Sequence, residues 1–228
     1  MERDPNCIMH SRETDRIAGV IFDIDGVVLD SMPYWHTCGE RFLRSIGIEA
    51  EPGLGDLLFT QTPMTGARYL IDHYGLDMTV EEVAAGTNSM MKQPYEELIE
   101  LKPGAAKLLE RIRAAGIPMT VASSTGRPFL ETAFKRLGIE QYFLQILSCD
   151  EYESTKAEPK IFHAAAELMG SEPRSTWVIE DGLYSIRTAA AAGFRTVGIY
   201  DEASAADWEE IRRIADYHYS DLLEFDLL

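Results

Sequence analysis

Apolar positions along the chain follow two patterns that alternate. The first is a series of short, nearly continuous apolar runs at residues 17–22, 118–123, 143–148, 176–180 and 195–200. Runs of that length fit strands buried on both faces of a parallel sheet. The second is a 3.6-residue periodicity that predicts helices over 104–115, 127–137, 159–169, 183–192 and 204–214. Gly116, Gly138 and Gly193 stand where three of these helices must end, and glycine accepts the left-handed conformation that closes a helix. Strand and helix in strict alternation with short joins predict an α/β fold, a doubly wound parallel sheet of Rossmann type.

One stretch breaks the alternation. Residues 31–101 show helical periodicity and no strand, with helices expected at 33–45, 65–74, 80–91 and 95–101 and breakers at 51–55 and at Gln93-Pro94. This reads as an all-helical insert in an α/β core made of 17–30 and 102–228. The return at Leu101-Lys102-Pro103-Gly104 is a candidate hinge. Residues 1–16 are polar and aperiodic and are expected to form a flexible tail. The chain contains no internal repeat or low-complexity tract.

Composition narrows the function. With 228 residues, 46% of them hydrophobic, the chain can bury a full core beside a small insert. Subtracting 38 acidic from 21 basic residues gives a formal charge of -17, which repels phosphate backbones and anionic lipid, so neither nucleic acid nor membrane is an expected partner. No apolar run approaches the roughly 20 residues that span a bilayer. The first residues also lack the apolar stretch of a signal peptide, and a cytoplasmic monomer is the expectation. Cys7, Cys38 and Cys149 are odd in number and widely spaced, as reduced thiols would be. His10, His36, His73, His163 and His218 show no metal-ligand spacing.

In doubly wound sheets ligands bind beyond the carboxyl ends of the strands. The residues there are unusually polar: Asp23-Ile24-Asp25-Gly26 after the first run, Ser123-Ser124-Thr125-Gly126-Arg127 after the second, Lys156 in the loop after the third, and Glu180-Asp181-Gly182 after the fourth. Each has a plain structural reading. The aspartates can cap a turn, the serines can cap the next helix, the lysine can be solvated, and Glu180-Asp181-Gly182 can end a strand. Their joint occurrence at four successive strand ends is harder to explain structurally.

That set resembles the haloacid dehalogenase-like (HAD) hydrolases, in particular the subfamily I phosphatases, similar to β-phosphoglucomutase, in which a helical cap follows the first strand. The resemblance spans about residues 17–220 and rests on 20–30, 121–124, 156–162 and 178–182 followed by the alanine run ending at Gly193. It implies a magnesium-dependent phosphatase acting on a small phosphorylated metabolite. Asp23 is the implied nucleophile, forming an aspartyl-phosphate, and Asp25 the general acid and then base. Ser123, the Ser124 amide and Lys156 are implied to hold phosphate oxygens. The implied Mg2+ ligands are Asp23, the Asp25 carbonyl, Asp181 and Glu180, the last with the least defined role. The cap then selects the leaving group. In two places the chain departs from the branch: Gly182 stands where serine is usual and Ser185 where glycine is usual.

The nearest alternative is a sugar-phosphate mutase of the β-phosphoglucomutase type. Those enzymes usually carry histidine five residues after the aspartate matching Asp30, where this chain has Trp35. Asp25 argues against dehalogenases, which lack a second aspartate, and against phosphonatases, which put a small residue there. A phospho-accepting signalling domain also groups acids, a hydroxyl and a lysine. Such domains are about half this length and accept phosphate after a later strand.

Overall fold

The computed structural model describes residues 17–59 and 61–225, so the expected tail at 1–16 lies outside the described residues. The chain divides into two compact units, one of residues up to Leu29 and from Leu101 on, the other Asp30–Glu100.

The first unit is built on a six-stranded parallel sheet. Its strands are β1 (Gly19–Phe22), β2 (Met119–Ser123), β3 (Ile146–Ser148), β4 (Thr176–Glu180), β5 (Arg195–Ile199) and β6 (Tyr217–Tyr219), in the spatial order β3-β2-β1-β4-β5-β6. Neighbouring residues of a strand face opposite sides of a sheet, and both sides here are covered. On one, Ile21, Ala122, Leu147 and Val178 meet Ile161, Phe162 and Ala165 of the helix Lys160–Met169. On the other, Phe22 meets Phe143, which stacks on Phe134 of the helix Arg127–Leu137. This is the doubly wound α/β architecture expected from the apolar runs.

Two details of the sheet differ from the sequence expectation. The third strand keeps only three of the six residues of its apolar run, Ile146–Ser148, and Phe143, just after the 3-10 turn Glu140–Tyr142, packs on Phe22 and Phe134 instead. The sixth strand was not expected at all. Tyr217–Tyr219 is short and largely exposed, so it carries no apolar run, and it is held at the edge by register with β5 and by Asp216, whose carboxylate accepts from the Thr196 amide at 2.9 Å. Trp177 stacks on Tyr217 with ring centroids 4.9 Å apart.

The second unit is helical: α1 (Met32–His36), α2 (Cys38–Ser45), α3 (Leu54–Phe59), α4 (Pro63–Tyr74) and α5 (Val80–Ser89), followed by a π-helical turn at Pro94–Leu98. Its core is Phe42, Leu43, Leu54, Ala67, Leu70 and Val83. The single helix expected over 33–45 is two, interrupted at Thr37, whose hydroxyl bonds back to the Pro33 carbonyl at 3.0 Å. The breaker expected at 51–55 is confined to its first residues, and α3 starts at Leu54. At Gly55 in α3 a side chain is excluded, because a Cβ there would lie 2.6 Å from the His36 ring and 2.7 Å from the His36 carbonyl. The last expected helix, 95–101, is only the π turn, with Tyr95 fully buried. Among the described residues no helix is long and apolar enough to cross a membrane, and Cys38 and Cys149 are free thiols.

Candidate active site

The register of the sheet assembles the site. Phe22 pairs with Val121 on one side and Ile179 on the other, and the Asp23 amide donates to the Ile179 carbonyl at 2.9 Å. The next residue on β1 and β4 is therefore at the same level, Asp23 after β1 and Glu180 ending β4, while on β2 that level is Ala122 and Ser123 ends the strand one residue further on. The chain then leaves the sheet through Gly26, whose φ of 79° lies in the left-handed region that residues with a Cβ rarely adopt.

Lys156 joins the two acids. Its Nζ lies 2.6 Å from Asp23 Oδ1 and 2.6 Å from Glu180 Oε1, with 2% of the lysine and glutamate side chains exposed and 12% of the aspartate. The other Glu180 oxygen, Oε2, accepts from the Asp181 amide at 3.0 Å and the Gly182 amide at 2.9 Å. Glu180 thus brackets the loop that carries Asp181, and Asp181 Oδ2 accepts from Ser204 Oγ at 3.2 Å.

Carboxylate oxygens of Asp23, Glu180 and Asp181 all lie within 4.8 Å of one another. Three carboxylates against one ammonium leave two formal negative charges in a nearly buried space. Burial pushes the Asp23 carboxyl up to about 7, with Glu180 and Asp25 adding to the shift and Lys156 opposing it. Burial likewise raises Asp181 well above the usual carboxylate range, reinforced by Glu180 and Asp23. Burial works against the Lys156 ammonium, but the Asp23 and Glu180 carboxylates outweigh it and hold the lysine charged. An all-oxygen donor set with two surplus negative charges fits a hard divalent cation.

The remaining expected residues surround this cluster. The Asp25 carboxylate is not part of it, and its Oδ2 accepts from Thr125 Oγ1 at 2.7 Å. Ser123 is buried, its Oγ accepting from the Thr125 amide at 3.0 Å, while Ser124 is exposed with Oγ 3.9 Å from Cys149 Sγ. His36 bonds Asp56 at 2.9 Å on the surface of the helical unit, and Arg127 forms a two-pronged pair with Glu151 at 2.6 and 2.5 Å. Sequence reasoning missed two side chains. Thr125 had a faint signal as the third hydroxyl of a Ser-Ser-Thr run, and Ser204 had none.

Known proteins resemble the chain along most of its length. The phosphorylated carbohydrates phosphatase of Thermotoga maritima is 25% identical over 178 residues, 78% of this chain and 82% of that protein. Phosphoglycolate phosphatase of Yersinia pestis is 26% identical over 219 residues, 91% of this chain and 92% of its own. Among solved structures, CbbY of Rhodobacter sphaeroides with phosphate bound superposes with a TM-score of 0.77 at 21% identity, covering 91% of this chain and 96% of that one. The β-phosphoglucomutase of Clostridium difficile gives 0.72 at 19%, covering 92% and 93%. The family model for haloacid dehalogenase-like hydrolases matches residues 17–193, a span holding both aspartates after β1, the hydroxyls after β2, Lys156 and the Glu180-Asp181 pair, and the chain belongs to that family.

Proposed function

We propose that the protein is a magnesium-dependent phosphatase that hydrolyses a small phosphomonoester, such as a sugar phosphate, through a phosphorylated Asp23. The observation that carries this reading is the placement of Asp23 at the end of a central strand, 2.6 Å from a buried lysine and beside two further carboxylates. The names of the curated relatives, phosphatases of phosphorylated carbohydrates and of phosphoglycolate, support the substrate class.

In this reading a carboxylate oxygen of Asp23 forms a bond to phosphorus as the bond to the leaving oxygen breaks, and Asp25 gives its proton to that oxygen. Water then attacks the phosphorus of the aspartyl-phosphate, its proton passes to Asp25, and Asp23 is regenerated with release of inorganic phosphate. Ser123 Oγ, the Ser124 amide and Lys156 Nζ hold the phosphate oxygens. A bound magnesium ion supplies the positive charge that lets an anionic nucleophile meet an anionic ester. Asp23, Asp181 and the Asp25 carbonyl are its proposed direct ligands. Glu180 is adjacent, but its oxygens already serve Lys156 and two backbone amides, so its proposed task is to orient the lysine and the Asp181 loop.

Hydrolysis is favoured over phosphate migration by Trp35. At the position where mutases of this type carry histidine, the indole Nε1 donates to the Tyr95 hydroxyl at 3.1 Å, so this side chain is already engaged and brings no acid–base group. Incubation with magnesium and a panel of sugar phosphates and phosphoglycolate should release inorganic phosphate in step with substrate consumed, and chelator should stop it. Conversion of β-glucose 1-phosphate to glucose 6-phosphate with little phosphate release would instead establish the mutase. Stoichiometric labelling of Asp23 without turnover would point to a signalling domain.

A further inference from the structure

Outside the carboxylate cluster one more charged side chain is firmly held and has no part in the reading above. Lys102 lies where the chain re-enters the α/β unit, with 14% of its side chain exposed. Its Nζ reaches three acceptors: the Gly26 carbonyl at 2.7 Å, the Tyr200 carbonyl at 3.3 Å and Asp201 Oδ2 at 2.6 Å. An ammonium has three N–H donors, and all are used. The Lys102 amide is also tied down, donating to the Val28 carbonyl at 2.9 Å. The lysine in the expected hinge segment is therefore a fixed point within the α/β unit.

Its partners belong to two different parts of the site. Gly26 directly follows Asp25, and the carbonyl that Lys102 holds is one peptide beyond the Asp25 carbonyl. Asp201 caps a 3-10 turn, Glu202–Asp207, its Oδ1 accepting from the Ala203 amide at 2.9 Å. From that turn Ser204 Oγ donates to Asp181 Oδ2 at 3.2 Å. One ammonium thus ties the backbone beside Asp25 to the turn that orients Asp181.

We infer that Lys102 is a positioning residue that, through Gly26 on one side and Asp201 and Ser204 on the other, sets the Asp25 carbonyl and the Asp181 carboxylate for a divalent cation. The inference rests on the metal reading proposed above. It makes a prediction of opposite sign to simple electrostatics. Removing a cation next to a cation site relieves repulsion, so Coulomb's law alone has Lys102→Met tighten magnesium binding. Loss of positioning weakens it.

The test is calorimetric titration of Mg2+ into the full, substrate-free protein and its Lys102→Met and Ser204→Ala variants, with circular dichroism and thermal melts to establish folding. Lys102→Met should weaken binding about tenfold and Ser204→Ala, which changes no charge, about threefold. The double variant should lose less than the product of the two, because both act along one route. Unchanged or tighter binding by folded Lys102→Met would overturn the inference. If that variant does not fold, full wild-type affinity in Ser204→Ala would do so. Absence of magnesium binding by the wild-type protein would overturn the metal reading itself, and this inference with it.

Discussion

Thr125 Oγ1 donates a 2.7 Å hydrogen bond to Asp25 Oδ2, a carboxylate that stands outside the cluster formed by Asp23, Glu180 and Asp181. The same threonine is fixed through its amide to Ser123 Oγ, so the strand end after β2 sets the direction of the second aspartate after β1. Two carboxylates separated by a single residue are thereby given different surroundings, and different surroundings allow different chemical tasks.

Thr125→Val should therefore slow turnover of alkyl phosphates by about 10- to 100-fold, the range expected for losing a hydrogen bond to a charged group worth about 1.5–3 kcal/mol. An aryl phosphate, whose leaving group needs little protonation, should lose much less, and Thr125→Ser should restore most of the rate. Asp25→Asn should show the same selectivity more severely. Steady-state kinetics on both ester types check it, and equal losses on the two would remove Asp25 from the acid role.

Glu180 and Asp181 should separate cleanly on substitution. Asp181→Ala should raise the magnesium concentration needed for half-maximal activity at least tenfold with little loss of thermal stability, since it removes a carboxylate that burial disfavours. Glu180→Ala strands the amides of Asp181 and Gly182 and leaves Lys156 with one partner, so its main effect should be a fall in stability of about 3 kcal/mol. Chemical denaturation and magnesium titrations of both variants distinguish the two; a reversed pattern would exchange the roles.

The main lines of this arrangement were legible in the chain. Asp23, Glu180 and Lys156 could be placed together because a parallel sheet delivers whatever follows each buried run to one edge. That β1 lies beside β4, in the register that makes Asp23 adjacent to Glu180, is a long-range pairing that the runs themselves do not encode. β6 escaped because three half-polar residues at an edge have neither a run nor an alternation to detect, and α3 escaped because Pro52-Gly53 masked a helix starting one residue later. Lys102, Asp201 and Ser204 were illegible for a different reason. Their meaning lies in contacts such as Lys102 to Gly26, 76 residues apart, that no local pattern encodes.

Magnesium and protons should compete for the buried carboxylates. Asp23 is held near 7 and Asp181 is raised as well, chiefly by burial. A carboxyl whose pKa is higher in the folded than in the unfolded protein adds stability that is complete below its unfolded value, about 4, and disappears as pH rises through the folded value. The metal-free protein should therefore lose thermal stability from about pH 4 to about pH 7 at this site, and Asp23→Asn, which cannot ionise, should show a shallower decline over that window. Magnesium should oppose the decline by replacing protons with a cation, so its affinity should climb with pH through about 7, where Asp23 loses its proton, with Asp181, also raised, adding to the climb. Titrations in buffers of different ionisation enthalpy should register proton release on binding near pH 6, and Asp23→Asn should reduce it. An affinity independent of pH across this range, or a melting curve for Asp23→Asn as steep in pH as that of the unmodified chain, would show that Asp23 does not hold the proton that its buried setting implies.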